Sequence, residues 1–128
     1  MSETKKRTRR IAIVEDEAIF VMLLNAGLPG HGFEIAGVET DADRALEVIL
    51  RESPDAIVLD IALSGTISGI ELAHRLRDRI PVPILFLSGY PRSEFADELA
   101  HLPGVRYLTK PATVDAVATE LHKLLDDD

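Results

Sequence analysis

Cysteine is absent from the 128 residues. That excludes disulfides and thiolate-held zinc, and it makes a reducing cytoplasm the natural compartment. Long apolar runs are missing as well. The stretch 11–14 stops at Glu15-Asp16-Glu17, far short of a signal-peptide core or a membrane span. No internal repeat, low-complexity segment or Pro/Gly/Ser linker interrupts 11–125, so one domain is expected there. Positive charge is in short supply: 14 basic against 22 acidic residues leave a net charge of -8. Such a field repels polyanions and opposes a general role on nucleic acid or anionic membranes. The exception is the opening segment 1–10, where Lys5, Lys6, Arg7, Arg9 and Arg10 cluster. Without interleaved aromatics it reads as a solvated basic tail, matched by a short acidic end at 126–128.

What is present is a globular balance, 46% hydrophobic and 28% charged, in a chain long enough to bury a core. Short β-like runs at 11–14, 33–38, 56–59, 84–87 and 105–108 alternate with helical patterns. Four of the runs are almost continuously apolar, as strands covered on both faces require; 33–38 is mixed and suits an edge. Ile19, Met22, Leu23 and Ala26 share one face of the first helical stretch, and Ala42, Ala45, Leu46 and Ile49 one face of the second. Thr40 with Asp43, and Ser68 with Glu71, are spaced like capping boxes. Phe95, Leu99 and Leu102 mark a weaker fourth helix. Val114, Val117, Ala118, Leu121 and Leu125 form a clear last stripe. Strands alternating with helices predict an α/β fold, a doubly wound five-stranded parallel sheet with helices on both faces.

In such sheets ligands bind outside the carboxyl ends of the strands. Glu15 and Asp16 follow the first run, Asp60 the third, Ser88-Gly89 the fourth, and Thr109-Lys110-Pro111 the fifth. One edge therefore gathers three carboxylates, a hydroxyl and an ammonium. Two carboxylates about 4 Å apart repel by roughly 4 kcal/mol at an effective dielectric of 20. Three together need a raised pKa or a cation. Oxygen-only ligands suit a hard ion such as Mg²⁺ and phosphate chemistry. His31, His74, His101 and His122 share no ligand spacing and read as surface residues; Gly30-His31-Gly32 reads as a turn.

The motifs Val14-Glu15-Asp16, Val58-Leu59-Asp60, Ser68-Gly69, Phe86-Leu87-Ser88-Gly89 and Tyr107-Leu108-Thr109-Lys110-Pro111 stand in order at the right strand ends. Together they make 11–125 resemble the receiver domain of bacterial two-component response regulators. The resemblance implies a flavodoxin-like (βα)5 fold with strand order 2-1-3-4-5. It implies that Asp60 accepts a phosphoryl group from a histidine kinase or histidine phosphotransfer protein. Mg²⁺ would be held by Asp16, Asp60 and the backbone carbonyl of Ala62, with Glu15 acting through water. Lys110 and Ser88 would contact the phosphoryl oxygens, and Ser88 and Tyr107 would form the switch. The surface of the fourth helix, fifth strand and fifth helix would then change shape and signal to a downstream protein. Dimerisation on phosphorylation is left open. A cis Lys110–Pro111 bond is also implied.

Glu15 and Ser88 depart from the commoner Asp and Thr and keep the chemistry. Ala62 offers no side-chain group to orient water and Tyr90 would screen the acyl phosphate, so slow self-dephosphorylation is expected. Pro83 with Phe86-Leu87-Ser88-Gly89-Tyr90-Pro91 further resembles stand-alone alphaproteobacterial receivers with a Phe-Ala-Thr-Gly-Tyr-like stretch, from which Leu87 and Ser88 depart. A hydrolase with an aspartyl nucleophile fits poorly, because Asp60-Ile61-Ala62 lacks the second carboxylate two residues on. An inert scaffold of the same fold usually loses an acidic, hydroxyl or Lys position, and none is lost here.

Overall fold

The computed structural model describes residues 7–63 and 65–126; Lys5 and Lys6 of the basic run, and Asp127 and Asp128, lie outside the described residues. Its five strands are β1 (Arg9–Val14), β2 (Phe33–Glu39), β3 (Ala56–Asp60), β4 (Ile84–Ser88) and β5 (Val105–Thr109). They pair in parallel in the order β2-β1-β3-β4-β5. The helices are α1 (Ala18–Gly27), α2 (Ala42–Glu52), α3 (Gly69–Arg77), α4 (Ala96–Ala100) and α5 (Val114–Asp126). This is the flavodoxin-like α/β architecture with the strand order expected of a receiver domain.

Strand periodicity of two divides the core cleanly. From β1, β3 and β4, the side chains of Ala12, Val14, Ile57, Leu59, Ile84 and Phe86 pack with α2 and α3. Their neighbours Ile11, Ile13, Ala56, Val58, Leu85 and Leu87 pack with α1 and α5 on the other face. β3 and β4 are buried along their whole length, whereas β2 is an edge strand, as its mixed composition predicts. β5 is the other edge and only half-buried, although its apolar run reads like a covered strand.

Two local expectations change, at α1 and at the α2 cap, while the fourth helix is short, as its weak pattern predicts. The apolar stripe Ile19, Met22, Leu23 faces solvent, at 75%, 68% and 54% exposure, and Ala26 is exposed beside it. α1 instead buries Leu24, with Phe20 packed on the same core. This helix is apolar on both faces, so period alone does not reveal which side is covered. At α2 the cap is Asp41, whose carboxylate accepts from the Asp43 N–H at 2.7 Å, and not Thr40. Asp43 is already engaged, accepting from the Thr66 hydroxyl at 2.7 Å and the Thr66 N–H at 3.2 Å. The fourth helix is a 3-10 turn at Arg92–Phe95 followed by the five residues of α4, buried through Leu99. Ser68 caps α3 as its spacing predicts, accepting from Glu71 N–H at 3.1 Å.

The basic segment is not wholly a tail. β1 begins at Arg9, and Arg7 makes two hydrogen bonds to Asp55, at 2.9 and 2.7 Å. Asp55 also accepts from the Arg10 N–H at 2.7 Å. No helix among the described residues is long and apolar enough to cross a membrane.

Candidate metal centre

β1 and β3 lie side by side, with Val14 opposite Leu59. The residues that follow them are therefore forced together at the carboxyl edge. Glu15, Asp16 and Asp60 each present a carboxylate oxygen, all within 4.8 Å of one another. Glu15 is fully buried, Asp60 is 3% exposed, and Asp16 faces solvent. Burial is imposed by the strands: Glu15 N–H continues the ladder by donating to the Glu39 carbonyl at 3.0 Å, which keeps its side chain at the sheet end.

β5 delivers Lys110. Its N–H donates to the Ser88 carbonyl at 2.7 Å, the Lys110–Pro111 bond is cis, and the side chain turns into the acidic cluster. The ammonium lies 2.9 Å from Glu15 Oε1, 2.8 Å from Glu17 Oε1 and 3.2 Å from Asp60 Oδ2. Burial pulls the Lys110 pKa down, but the hydrogen bonds it donates to Glu17 and Glu15 and the charge of Asp60 outweigh that and hold the ammonium above the ordinary lysine value. Burial pushes the Glu15 carboxyl up. The Glu17 N–H, donating to Glu15 Oε2 at 3.0 Å, and Lys110 oppose that rise, while the charge of Asp60 adds to it.

The donor set fits a hard divalent cation. The three carboxylates are oxygen ligands only, and the buried Glu15 Oε1 is paired with the Lys110 ammonium at 2.9 Å and accepts no other hydrogen bond among the described residues. A single ammonium shared by Glu15, Glu17 and Asp60 leaves negative charge at this end, which a cation would neutralise.

The remaining expected residues converge on the same edge. Ala62 N–H donates to Asp60 Oδ1 at 3.0 Å, so the loop after β3 orients the carboxylate. Ser88 is buried, and its hydroxyl accepts from Tyr90 N–H at 3.0 Å. Tyr107 is half-buried, donates its hydroxyl to the Tyr90 carbonyl at 2.6 Å, and has its ring 6.5 Å from that of Phe95. Tyr90 thus touches both Ser88 and Tyr107 through its backbone. Gly69 closes the site from below: a Cβ there would stand 2.2 Å from the Asp60 carbonyl oxygen, so only glycine lets α3 start against the β3 end.

Sequence reasoning missed Glu17. It stands one residue past the Glu15-Asp16 pair, and the available signal was its place in that acidic run. It also missed a groove of about 480 Å³ beside the site, lined by Glu17, Ile19, Phe20, Leu23, Lys110 and Pro111 among others. Ile19 and Leu23, exposed apolar residues of α1, form one wall of this groove.

The sequence of residues 11–122 matches the family model described as the response regulator receiver domain. It is 28% identical over 106 residues to the transcriptional regulatory protein PdtaR of Mycobacterium tuberculosis, covering 83% of this chain and 51% of that protein. It is 38% identical over 115 residues to the uncharacterized transcriptional regulatory protein YrkP of Bacillus subtilis, covering 88% and 46%. The chain thus spans about half the length of these curated relatives. Among solved structures, the receiver (REC) domain of the PhyR response regulator from Erythrobacter litoralis is similar, with a TM-score of 0.81 and 26% identity over 94% of this chain and 92% of that one. A response regulator receiver protein from Sinorhizobium medicae matches with a TM-score of 0.80 and 26% identity, covering 94% and 96%.

Proposed function

The chain belongs to the response regulator receiver domain family, and on that premise we propose that it is a Mg²⁺-dependent phosphoacceptor with Asp60 as its nucleophile. The observation that carries this reading is the Lys110 ammonium set between the buried carboxylates of Glu15 and Asp60, 3.2 Å from Asp60 Oδ2. Asp16, Asp60 and the Ala62 carbonyl, together with Glu15, would hold Mg²⁺, which would supply positive charge against the phosphoryl oxygens. The rest is done by the chain. Asp60 is oriented by the Ala62 N–H at Oδ1. A carboxylate oxygen of Asp60 attacks the phosphorus of a phosphohistidine on a histidine kinase or histidine phosphotransfer protein. The P–O bond forms as the P–N bond breaks, and the departing imidazole keeps the electron pair. Lys110 and the Ser88 hydroxyl take phosphoryl oxygens. Such a transfer depends on positioning and charge more than on proton movement.

When Ser88 turns to the phosphoryl group, Tyr90 N–H loses its acceptor and the segment that also anchors the Tyr107 hydroxyl is released. Tyr107 then moves inward and the α4-β5-α5 surface changes, which is the signal passed to a downstream protein. New phosphoryl contacts supply the differential affinity such a shift needs. The output is protein contact in the cytoplasm, as a stand-alone regulator, relay or phosphate sink. Dimerisation through that surface is one form the output would take.

The phosphodonor seats in the groove beside Lys110. Ile19, Met22 and Leu23 offer it an exposed apolar helix face continuous with the site, the surface an amphipathic helix bearing the histidine would cover. The test is chemical mapping. After incubation with Mg²⁺ and phosphoramidate, borohydride reduction of an acyl phosphate converts the modified aspartate to homoserine. Homoserine at position 60 alone supports the reading; reduction elsewhere, or nowhere, refutes it.

A further inference from the structure

Glu17 is a carboxylate on Lys110 that the phosphoacceptor chemistry leaves unused. It precedes α1 in the N-cap position but makes no side-chain cap bond there. Its side chain is 61% exposed, and its contact to the Lys110 ammonium, 2.8 Å, is the shortest of the three. Any cation held by Glu15, Asp16 and Asp60 draws on two of the three carboxylates around Lys110. Glu17 is then the partner that remains for the same ammonium that must turn to the arriving phosphoryl group. Glu17 also forms part of the groove wall, with Ile19, Leu23 and Lys110.

Resting on the reading of Asp60 as phosphoacceptor, we infer that Glu17 is a specificity-determining residue, which slows transfer from small anionic phosphodonors and favours a donor seated in the α1 groove. Two effects act together. Glu17 holds Lys110 on its own carboxylate, so a phosphoryl group must compete for the ammonium. Its charge also stands at the mouth and repels a dianion more than a monoanion. A donor protein that covers the groove excludes water and can meet the carboxylate with a cation, removing both obstacles at once. A bland role, favourable charge at the N-terminus of α1, would affect helix stability and leave donor preference unchanged.

The experiment compares the wild-type chain with Glu17→Gln, a change at an exposed position that preserves shape. Phosphorylation rates are measured with Mg²⁺ and two donors, acetyl phosphate as a dianion and phosphoramidate with a single net negative charge. The substitution should speed acetyl phosphate roughly tenfold and phosphoramidate about threefold, and both gains should shrink at high salt. In the metal-free protein without donor, the side-chain ¹⁵N resonance of Lys110 should shift on the same substitution. Equal rates for the two proteins with both donors, an equal gain for both donors at every salt concentration, or an unmoved Lys110 resonance would overturn the inference. If neither donor modifies either protein, the phosphoacceptor reading fails and this inference falls with it, an outcome distinct from modification at equal rates.

Discussion

The two ends of the sheet carry dense charge and use it in opposite ways. At the amino end, Asp55 lies between Arg7 and the Arg10 N–H, and the Arg10 guanidinium reaches the Glu52 carbonyl at 2.6 Å and its carboxylate at 3.1 Å. Acids and bases are matched there. The hydrogen bond from Arg7 holds the Asp55 carboxyl below the ordinary aspartate value, and Arg51 and Arg10 do the same for Glu52. At the carboxyl end, Glu15, Glu17 and Asp60 share Lys110, and the Glu15 carboxyl is pushed up. The same strands thus end in a satisfied clamp on one side and an acid excess on the other. Charges paired at one edge and left short at the other mark the second edge as the candidate site.

The comparison breaks most sharply at Lys110. Lys110→Met removes the ammonium from a buried pair of carboxylates, and breaking one member of such a pair costs about 3–5 kcal/mol. Urea unfolding in EDTA should show a loss of that order, partly restored by millimolar Mg²⁺ in the variant. Unchanged stability would mean that the carboxylates are not held against one another by this lysine.

The two aspartates sharpen the contrast, because one substitution should have opposite signs at the two ends. Asp55→Asn weakens the charged hydrogen bonds with Arg7 and the Arg10 N–H and should cost about 1 kcal/mol, discounted because Arg7 is largely exposed. Asp60→Asn relieves repulsion with Glu15 and should stabilise the metal-free protein by about 1 kcal/mol while abolishing stabilisation by Mg²⁺. Thermal unfolding of both variants in EDTA decides it; the same sign for both would erase the distinction.

The pH dependence follows the same division. The Asp55 pKa is lower folded than its ordinary 3.8, so its contribution is present above that pH and lost as acid brings the solution through the folded value. Glu15 is raised above its ordinary 4.5, so the native state binds a proton more readily and stability falls as pH rises from 4.5 through the folded value. Glu15→Gln should flatten that fall in metal-free protein, and Asp55→Asn should flatten the loss in acid. The smallest effect concerns lifetime: Ala62→Asn with Tyr90→Glu should shorten the half-life of the acyl phosphate about threefold, roughly 0.7 kcal/mol of barrier. An unchanged half-life would remove Ala62 and Tyr90 from control of water.

Much of this was legible beforehand. Continuous apolar runs at 56–59 and 84–87 identify central strands because both faces must be covered, and the strand-end rule then locates Glu15, Asp16, Asp60, Ser88 and Lys110 without any knowledge of chemistry. What escaped has physical causes. The exposed face of α1 was hidden because Ile19, Met22 and Leu23 are as apolar as the buried Leu24. Glu17 was hidden because its partner Lys110 is 93 residues away, and no local pattern announces a shared ammonium. The Asp43–Thr66 contact was missed for the same reason, its partners being 23 residues apart; the Asp41 cap is a local bond to the Asp43 N–H, one residue on from the Thr40 that the spacing suggests.

The most direct test is the intact mass of the chain after incubation with Mg²⁺ and phosphoramidate, beside Asp60→Ala and an EDTA control. A gain of one phosphoryl group that is lost in both controls is the expected result. No gain with donor and metal in excess, or a gain that survives in Asp60→Ala, would contradict it.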